Sequence, residues 1–145
     1  ENLNLVKKVK SNYGKQSIIC SIDYKNEKKK YNIFHFNGEK KYHKSFEEYI
    51  KKISKFGVGE IMVNSIDRDG TGNGFDLNVL NFVPKNFQTP IIFSGGAGHG
   101  SHFIDALEDS RVNAVSTANL LNFIGNGLEI SRKKVKKKIK LPIWL

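Results

Sequence analysis

Apolar residues in this chain fall into two patterns, short continuous runs and stripes that recur every three or four positions. Short runs that end in polar or glycine-rich segments are typical of strands buried on both faces, and the stripes are typical of amphipathic helices. The runs predict strands at 17–22, 61–64, 90–94 and 114–118. The stripes predict helices at 3–12, 46–56, 77–83, 103–107 and 128–138, with a further apolar segment at 120–123. Strand-then-helix units in succession predict parallel strands with right-handed crossovers.

Turn and capping residues refine the region between the first two predicted strands. Residues 31–36 alternate apolar and polar and lead into the turn Asn37-Gly38, which predicts a β-hairpin that returns through 40–43. Ser45, with Glu48 three residues later, predicts the N-cap of the helix that follows. The hairpin therefore interrupts the strand–helix alternation once.

The segment 59–76 carries the strongest signal for a ligand. A predicted strand there ends in a loop that contains Asp67 and Asp69, followed by glycines at 70, 72 and 74. Glycine-rich loops after a strand offer backbone N–H groups to an anion, so this segment predicts a site for a phosphorylated ligand. Gly95-Gly96, after the next strand, predicts a second contact of this kind. In the alternative interpretation, the aspartates organise their own turn and the glycines only form a tight turn.

A short internal repeat adds one more aspartate to this group. The tripeptide Ser-Ile-Asp occurs at 21–23 and again at 65–67, each time at the predicted carboxyl end of a strand. In an α/β barrel, catalytic side chains project from the carboxyl ends of the strands, so we expect Asp23, Asp67 and Asp69 on one rim. The alternative role for Asp23 is a structural hydrogen bond at the end of its strand.

Composition and charge narrow the class of protein. The 145 residues fit one globular domain, and the formal net charge is +10. The lysines form no basic stripe with interleaved aromatic residues, so we expect no nucleic-acid binding, and no apolar run is long enough for a membrane span. The single cysteine, Cys20, and a first segment without the apolar core of a signal peptide favour the cytoplasm. The histidines lack metal-ligand spacing, and we expect neither a metal nor a cofactor.

Two motifs together carry a family resemblance. The first is Ser-Ile-Asp-Arg-Asp-Gly-Thr at 65–71, which continues with Gly-Phe-Asp at 74–76. The second is Ser-Gly-Gly-Ala-Gly at 94–98. A related segment, Ser-Ile-Asp-Tyr-Lys, lies earlier in the chain at 21–25. With these motifs, residues 14–123 resemble the C-terminal half of the cyclase subunit of imidazole glycerol phosphate synthase. That family is a (β/α)₈ TIM barrel of about 250 residues. The resemblance therefore implies a single half-barrel domain over 1–145, with four βα units and a hairpin after the first strand.

The resemblance also implies a role for each matching residue. Asp23 matches one of two catalytic carboxylates that transfer protons while ammonia attacks a phosphoribosyl aminoimidazole carboxamide and the imidazole ring closes, in histidine biosynthesis. Glu60 matches a charged gate at the opposite end of its strand, where ammonia from a glutaminase partner enters the barrel. The substrate rim and its phosphate pocket match Asp69, Gly70, Ser94, Gly95, Gly96, Ala118 and Asn119. Because the other carboxylate belongs to the family's first strand, we expect pairing with an N-terminal half-barrel or a second copy.

Three departures from the family pattern lie at this predicted rim. Asn64 stands where the histidine-pathway enzymes usually have threonine, Asn119 where they usually have serine, and 39–46 lacks their Gly/Thr-rich loop. These departures keep open a paralogous branch that serves amidation of bacterial surface sugars, again with ammonia from a glutaminase. A further alternative is a phosphate-binding half-barrel without turnover.

Overall fold

The computed structural model describes residues 3–118, 120 and 126–139 as a mixed α/β fold. The helices are α1 (Leu3–Tyr13), α2 (Phe46–Phe56), α3 (Gly100–Leu107) and α4 (Gly127–Lys138), with short 3-10 helices at Lys15–Ser17 and Leu77–Phe82. The strands are β1 (Ile19–Glu27), β2 (Lys30–His35), β3 (Lys40–Ser45), β4 (Glu60–Ser65), β5 (Ile91–Ser94) and β6 (Val112–Val115). In the described part of the chain, no helix is both long and apolar enough to cross a membrane.

These strands form one sheet in the order β3-β2-β1-β4-β5-β6. β1, β4, β5 and β6 pair in parallel, and the four predicted strands overlap them. β2 and β3 pair antiparallel with each other, and β2 also pairs antiparallel with β1. The sheet is therefore a parallel unit extended at one edge by two antiparallel strands.

Strand β1 is longer than the sequence predicts. The apolar run indicates a strand that ends before Asp23, whereas β1 continues to Glu27. The extension forms because residues 23–27 find a hydrogen-bonding partner in residues 30–34 of β2. A turn at Lys28-Lys29, with both φ angles positive, joins the two strands. Lysine rarely adopts this conformation, and no Asn-Gly or Asp-Gly marks the turn, so the sequence gives no sign of it.

The core lies between one face of the sheet and the helices. Along β4, buried Ile61, Val63 and Ser65 alternate with half-buried residues, and β5 shows the same alternation. The prediction of strands buried on both faces is therefore wrong for the described residues, in which the second face is only half-buried. We call that second face the open face; its side chains at the centre of the sheet are those of Asp23, Met62, Asn64, Ile92 and Ser94.

Local capping explains where helix α2 begins and ends. The Ser45 hydroxyl accepts a hydrogen bond from the Glu48 amide at 3.3 Å, and the Glu48 carboxylate accepts one from the Ser45 amide at 3.0 Å. Gly57 ends the helix in the left-handed conformation, with φ 79°, which costs glycine little. The predicted N-cap is confirmed.

Two predicted elements differ in extent or type. β6 ends at Val115 instead of 118, after an irregular register with β5, and the Ser116 amide still donates to the Phe93 carbonyl at 2.7 Å. The helix predicted at 77–83 is a short 3-10 helix, Leu77–Phe82, and Val83 before Pro84 is extended. Residues 121–123 of the predicted segment 120–123, and Asn119, lie outside the described residues.

Candidate functional site

Three polar side chains lie level with one another at the carboxyl ends of adjacent parallel strands. Asp23 of β1 is in register with Asn64 of β4, and Asn64 with Ser94 of β5. All three are half-buried on the open face. The Asn64 side-chain amide donates to Asp23 Oδ1 at 3.0 Å, and the Ser21 hydroxyl donates to the same oxygen at 3.2 Å. The parallel register thus places the carboxylate of Asp23 beside β4, the strand that leads into the loop with glycines 70, 72 and 74.

A cavity of about 180 Å³ lies next to this row of residues. It is lined by most of the residues predicted to bind substrate or phosphate: Asp69, Gly70, Ser94, Gly95, Gly96 and Ala118. It is also lined by residues that the sequence did not single out for this role: Met62, Asn64, Ala97, Ser116 and Thr117. Loops that follow β4, β5 and β6 therefore meet around one space large enough for a phosphate group.

The glycines at 95 and 96 allow the loop after β5 to pack against the loop after β4. Both have positive φ, at 84° and 111°. A Cβ on Gly95 would lie 2.5 Å from the Ser65 carbonyl oxygen, and one on Gly96 would overlap the Gly74 carbonyl. The Gly74 amide also donates to the Gly96 carbonyl at 2.8 Å. Backbone packing alone therefore requires glycine here, and the feature that suits an anion is the cavity that these loops enclose.

The two aspartates of the loop after β4 have separate surroundings. Asp69 lines the cavity, and its amide donates to the Ser65 carbonyl at 3.0 Å. Asp67 instead accepts a hydrogen bond from the Asn26 amide at 2.6 Å. Asp67 thus ties the extension of β1 to the loop after β4, so the interpretation that it organises only its own turn is wrong.

The repeated Ser-Ile-Asp tripeptides do not occupy equivalent positions. Ser65 is in register with Tyr24, so the second tripeptide begins three residues further along the sheet than the first. Asp23 consequently lies within β1, whereas Asp67 lies beyond the end of β4. Asp23 lines a second cavity of about 300 Å³ that also contacts the turn between β2 and β3, including Phe36 and Asn37. Asn64 lines the first cavity and donates a hydrogen bond to Asp23, which lines the second. The expectation of one common rim stays a prediction.

A buried carboxylate, Asp76, was not singled out by the sequence analysis. It is only 4% exposed, and it accepts long hydrogen bonds from the Tyr31 hydroxyl at 3.4 Å and the Asn26 side-chain amide at 3.5 Å. Burial, and secondarily the charge of Asp76, raise the pKa of the nearby Tyr24 hydroxyl. The position of Asp76 at the end of the Gly-Phe-Asp motif was the only sequence signal for it. Through these hydrogen bonds, Asp76 connects β1 and β2 to the loop after β4.

His102 supports the glycine loop from helix α3. Its Nδ1 accepts a hydrogen bond from the Gly98 amide at 3.1 Å, and its ring lies 3.7 Å from the His99 ring, centroid to centroid. Burial, followed by the neighbouring His99, lowers the pKa of His102. His102 is half-buried. In the described residues, no group of three or more His, Cys, Asp or Glu side chains is arranged to hold a metal ion.

Comparisons with known proteins agree on one family. The family model described as histidine biosynthesis protein matches residues 1–124. The chain belongs to this histidine biosynthesis family. A protein of Parasynechococcus marenigrum, provisionally named imidazole glycerol phosphate synthase subunit hisF2, is 39% identical over 139 residues, which cover 94% of this chain and 52% of that protein.

Other relatives are named as subunits of the same synthase. Imidazole glycerol phosphate synthase subunit HisF of Clostridium botulinum (strain Okra / Type B1) is 37% identical over 141 residues, covering 96% of this chain and 54% of that protein. The protein of the same name from Leptospira biflexa is 32% identical over 139 residues, covering 94% and 54%. The chain thus spans about half the length of the curated relatives that it matches.

In this member of the histidine biosynthesis family, Glu60 does not line either cavity. Glu60 is the first residue of β4, in register with Ile19 and at the opposite end of the strand from Asn64. It is half-buried, and its amide donates to the Ile18 carbonyl at 3.3 Å. Any function of Glu60 therefore lies at the amino-terminal ends of the parallel strands, which we call the amino-terminal edge of the sheet.

Proposed function

We propose that this chain supplies one half of the active site of a cyclase subunit of imidazole glycerol phosphate synthase, a lyase of histidine biosynthesis. The observation that carries the proposal is the pairing of Asp23 with Asn64, beside the cavity enclosed by the loops after β4, β5 and β6. The family and the names of the chain's relatives support it. Because the chain spans about half of those relatives, the complete activity belongs to an assembly with a further half-barrel.

The proposed chemistry assigns one task to each part of the site. One phosphate of a phosphoribosyl aminoimidazole carboxamide substrate binds in the cavity, where backbone N–H groups of Gly95 and Gly96 and the loop that contains Ala118 approach it. Asp23 exchanges a proton with the substrate as ammonia attacks and the imidazole ring closes. A carboxylate in this role acts as a general acid or base, which typically contributes 10²–10⁴-fold to the rate. Since ring closure needs both a proton donor and an acceptor, a second carboxylate from the other half completes the cycle.

The proposed source of ammonia is a glutaminase subunit that docks at the amino-terminal edge of the sheet. Glu60 lies at that edge, one strand length from Asn64. An entry route there would keep ammonia away from bulk solvent until it reaches Asp23. We therefore assign Glu60 to the gate and not to the chemical step.

Asp23→Asn is the decisive test. The variant keeps the shape of the side chain and removes the carboxylate, so ammonia-dependent consumption of the phosphoribosyl substrate should fall at least about 100-fold. The assay uses the complete protein, or this chain co-expressed with the N-terminal half of a relative. Asp105→Asn, at an exposed position of α3, is the matched control and should keep full activity.

The outcomes separate the remaining functions. Full activity of Asp23→Asn would contradict the catalytic role of Asp23. Phosphate binding without turnover in the complete protein would favour the non-catalytic half-barrel. The relatives' names do not favour the surface-sugar alternative, and turnover of the phosphoribosyl substrate would exclude it as the sole function.

A further inference from the structure

Both hydrogen bonds that Asp23 receives from side chains go to one oxygen. The Asn64 amide donates to Oδ1 at 3.0 Å, and the Ser21 hydroxyl donates to Oδ1 at 3.2 Å. Among the described residues, no donor bonds to Oδ2. The carboxylate therefore has one oxygen held by the protein and one oxygen directed away from these donors. This arrangement suits a general acid or base, because an oxygen that the protein does not hold can take or give the proton.

The other end of the Asn64 side chain faces the glycine loop. Because Nδ2 donates to Asp23, the amide oxygen Oδ1 lies on the opposite side. A Cβ built on Gly95 would lie 3.1 Å from that oxygen. Asn64 is also part of the lining of the 180 Å³ cavity. One amide group thus spans the distance from the carboxylate to the loop that borders the cavity.

The parallel sheet fixes this arrangement. Asp23, Asn64 and Ser94 are successive register partners on three hydrogen-bonded strands. The Asn64 amide cannot lose its proton or become charged near neutral pH, so it remains a donor to Oδ1 whether or not Asp23 has exchanged its proton. A second carboxylate or a histidine at this position would compete for the proton instead.

We propose that Asn64 is a positioning residue that couples the phosphate cavity to Asp23. Its amide holds Oδ1, directs Oδ2 towards the reacting atoms, and sets the distance between the carboxylate and a phosphate bound beside Gly95. This inference rests on the proposed function and adds to it a residue that acts through Asp23. Misplacement of a catalytic group by about 1 Å can lower a rate about 100-fold, so the hydrogen bond affects kcat more than binding.

A pair of variants with the same shape tests the hydrogen bond. Asn64→Val and Asn64→Thr differ by one hydroxyl group, and only threonine offers a donor to Asp23. We expect kcat of the complete enzyme to be about 10- to 100-fold lower with valine than with threonine, the effect of a lost hydrogen bond to a charged group. KM for the phosphoribosyl substrate should differ by no more than about twofold, because the phosphate contacts are unchanged. Asn78→Val, at an exposed position of the 3-10 helix, is the control.

Equal kcat values for the valine and threonine variants in an active enzyme would overturn the inference and leave the proposed function intact. A change confined to KM would also overturn it, since that result would make Asn64 a binding residue. A wild-type complete protein that does not turn over the substrate would refute the proposed function, and the positioning role would fail with it.

A second measurement does not depend on activity. In NMR spectra of the complete protein, Asp23→Ala should shift the side-chain amide resonances of Asn64, because they lose their acceptor. The same change should leave those of Asn78 in place. Unshifted Asn64 resonances would overturn the inference, even where the kinetic variants differ.

Discussion

At the scale of single residues, the cavity beside Ser94 depends on small and backbone groups. Gly95 and Gly96, which have no side chain, and Ala118, which has only a methyl group, line the enclosed space. The same glycines are needed for packing, since a Cβ on Gly95 would meet the Ser65 carbonyl. A substitution of Gly95 would therefore disturb the loop itself, and Ala118, which is exposed, is the better position for probing an anion.

Ala118→Asp should weaken phosphate binding. The new carboxylate would lie at the cavity and repel the anion, and a charge pair at this range near a protein surface is worth about 1.4 kcal/mol or more, which lowers affinity about tenfold or more. Titration calorimetry with inorganic phosphate and with the phosphoribosyl substrate measures the effect. Asn78→Asp adds the same charge at an exposed position on another element and should leave affinity unchanged. Equal affinities for the two variants would contradict the anion site.

The pH dependence of stability should report on His102. Burial lowers the pKa of this residue in the folded state, so the unfolded chain binds its proton more readily. The stabilising neutral form is thus fully present above about pH 6.5 and is lost as the pH falls through the lowered folded pKa. We expect the free energy of unfolding to fall across this window, because a proton on Nδ1 would also break the hydrogen bond from the Gly98 amide.

Urea unfolding at a series of pH values measures this dependence. His102→Asn should flatten the curve in the window below about pH 6.5, because the titrating group is gone. His43→Asn, at an exposed position of the hairpin, serves as the control. Parallel curves for wild type and His102→Asn would show that His102 does not carry the effect.

At the scale of elements, the sequence predicts those parts that local chemistry determines. Helix α2 is an example, because Ser45, Glu48 and Gly57 fix its ends through neighbouring backbone groups. The parallel strands are also predicted, because their buried faces need apolar residues. The extension of β1 past Asp23 is not, because it depends on a partner strand, β2, and on a Lys28-Lys29 turn with unfavourable backbone angles.

Asp67 should stabilise that extension. Its carboxylate accepts the Asn26 amide at 2.6 Å, and Asp67→Asn keeps the shape but removes the charge from this hydrogen bond. Hydrogen bonds to charged groups contribute about 1.5–3 kcal/mol, so the exchange of the Asn26 amide proton should become at least about tenfold faster. Hydrogen exchange followed by NMR measures this rate. Asp105→Asn is the control and should leave the exchange rate of the Asn26 amide unchanged. An unchanged rate in Asp67→Asn would show that this hydrogen bond does not stabilise the extension of β1.

At the scale of the whole molecule, the candidate site residues line two cavities, whereas the motifs alone suggest one. The sequence identified Asp23 and the Ser94-Gly95-Gly96 loop because each follows an apolar run. It could not place them in separate cavities, since that depends on the register of Asp23 with Asn64 and on the turn that contains Phe36. Asn64 itself entered only as a departure from a family pattern, because its role depends on a neighbour 41 positions away.

The open face of the sheet is expected to pair with a second protein surface. Met62 and Ile92 lie on this face. In the described residues, helices pack against the core face of the sheet, and no helix covers Met62 and Ile92. Apolar side chains on an uncovered sheet face favour association, and β3 and β6 leave the two edges of the sheet without strand partners in the described chain. We therefore expect this chain to form a dimer, or a heterodimer with an N-terminal half-barrel.

Ile92→Lys tests the pairing because it places a charge in the middle of the open face. Burying an unpaired lysine costs several kcal/mol, so dissociation should become at least about 100-fold more favourable. Analytical ultracentrifugation over a range of concentrations, with small-angle scattering, measures the assembly state. Ile130→Lys makes the same substitution on α4, where the isoleucine is already 49% exposed, and should leave pairing intact. A wild-type chain that stays monomeric and monodisperse at high concentration, alone and with an N-terminal half-barrel, would refute the pairing, because the open face would then be stable in water.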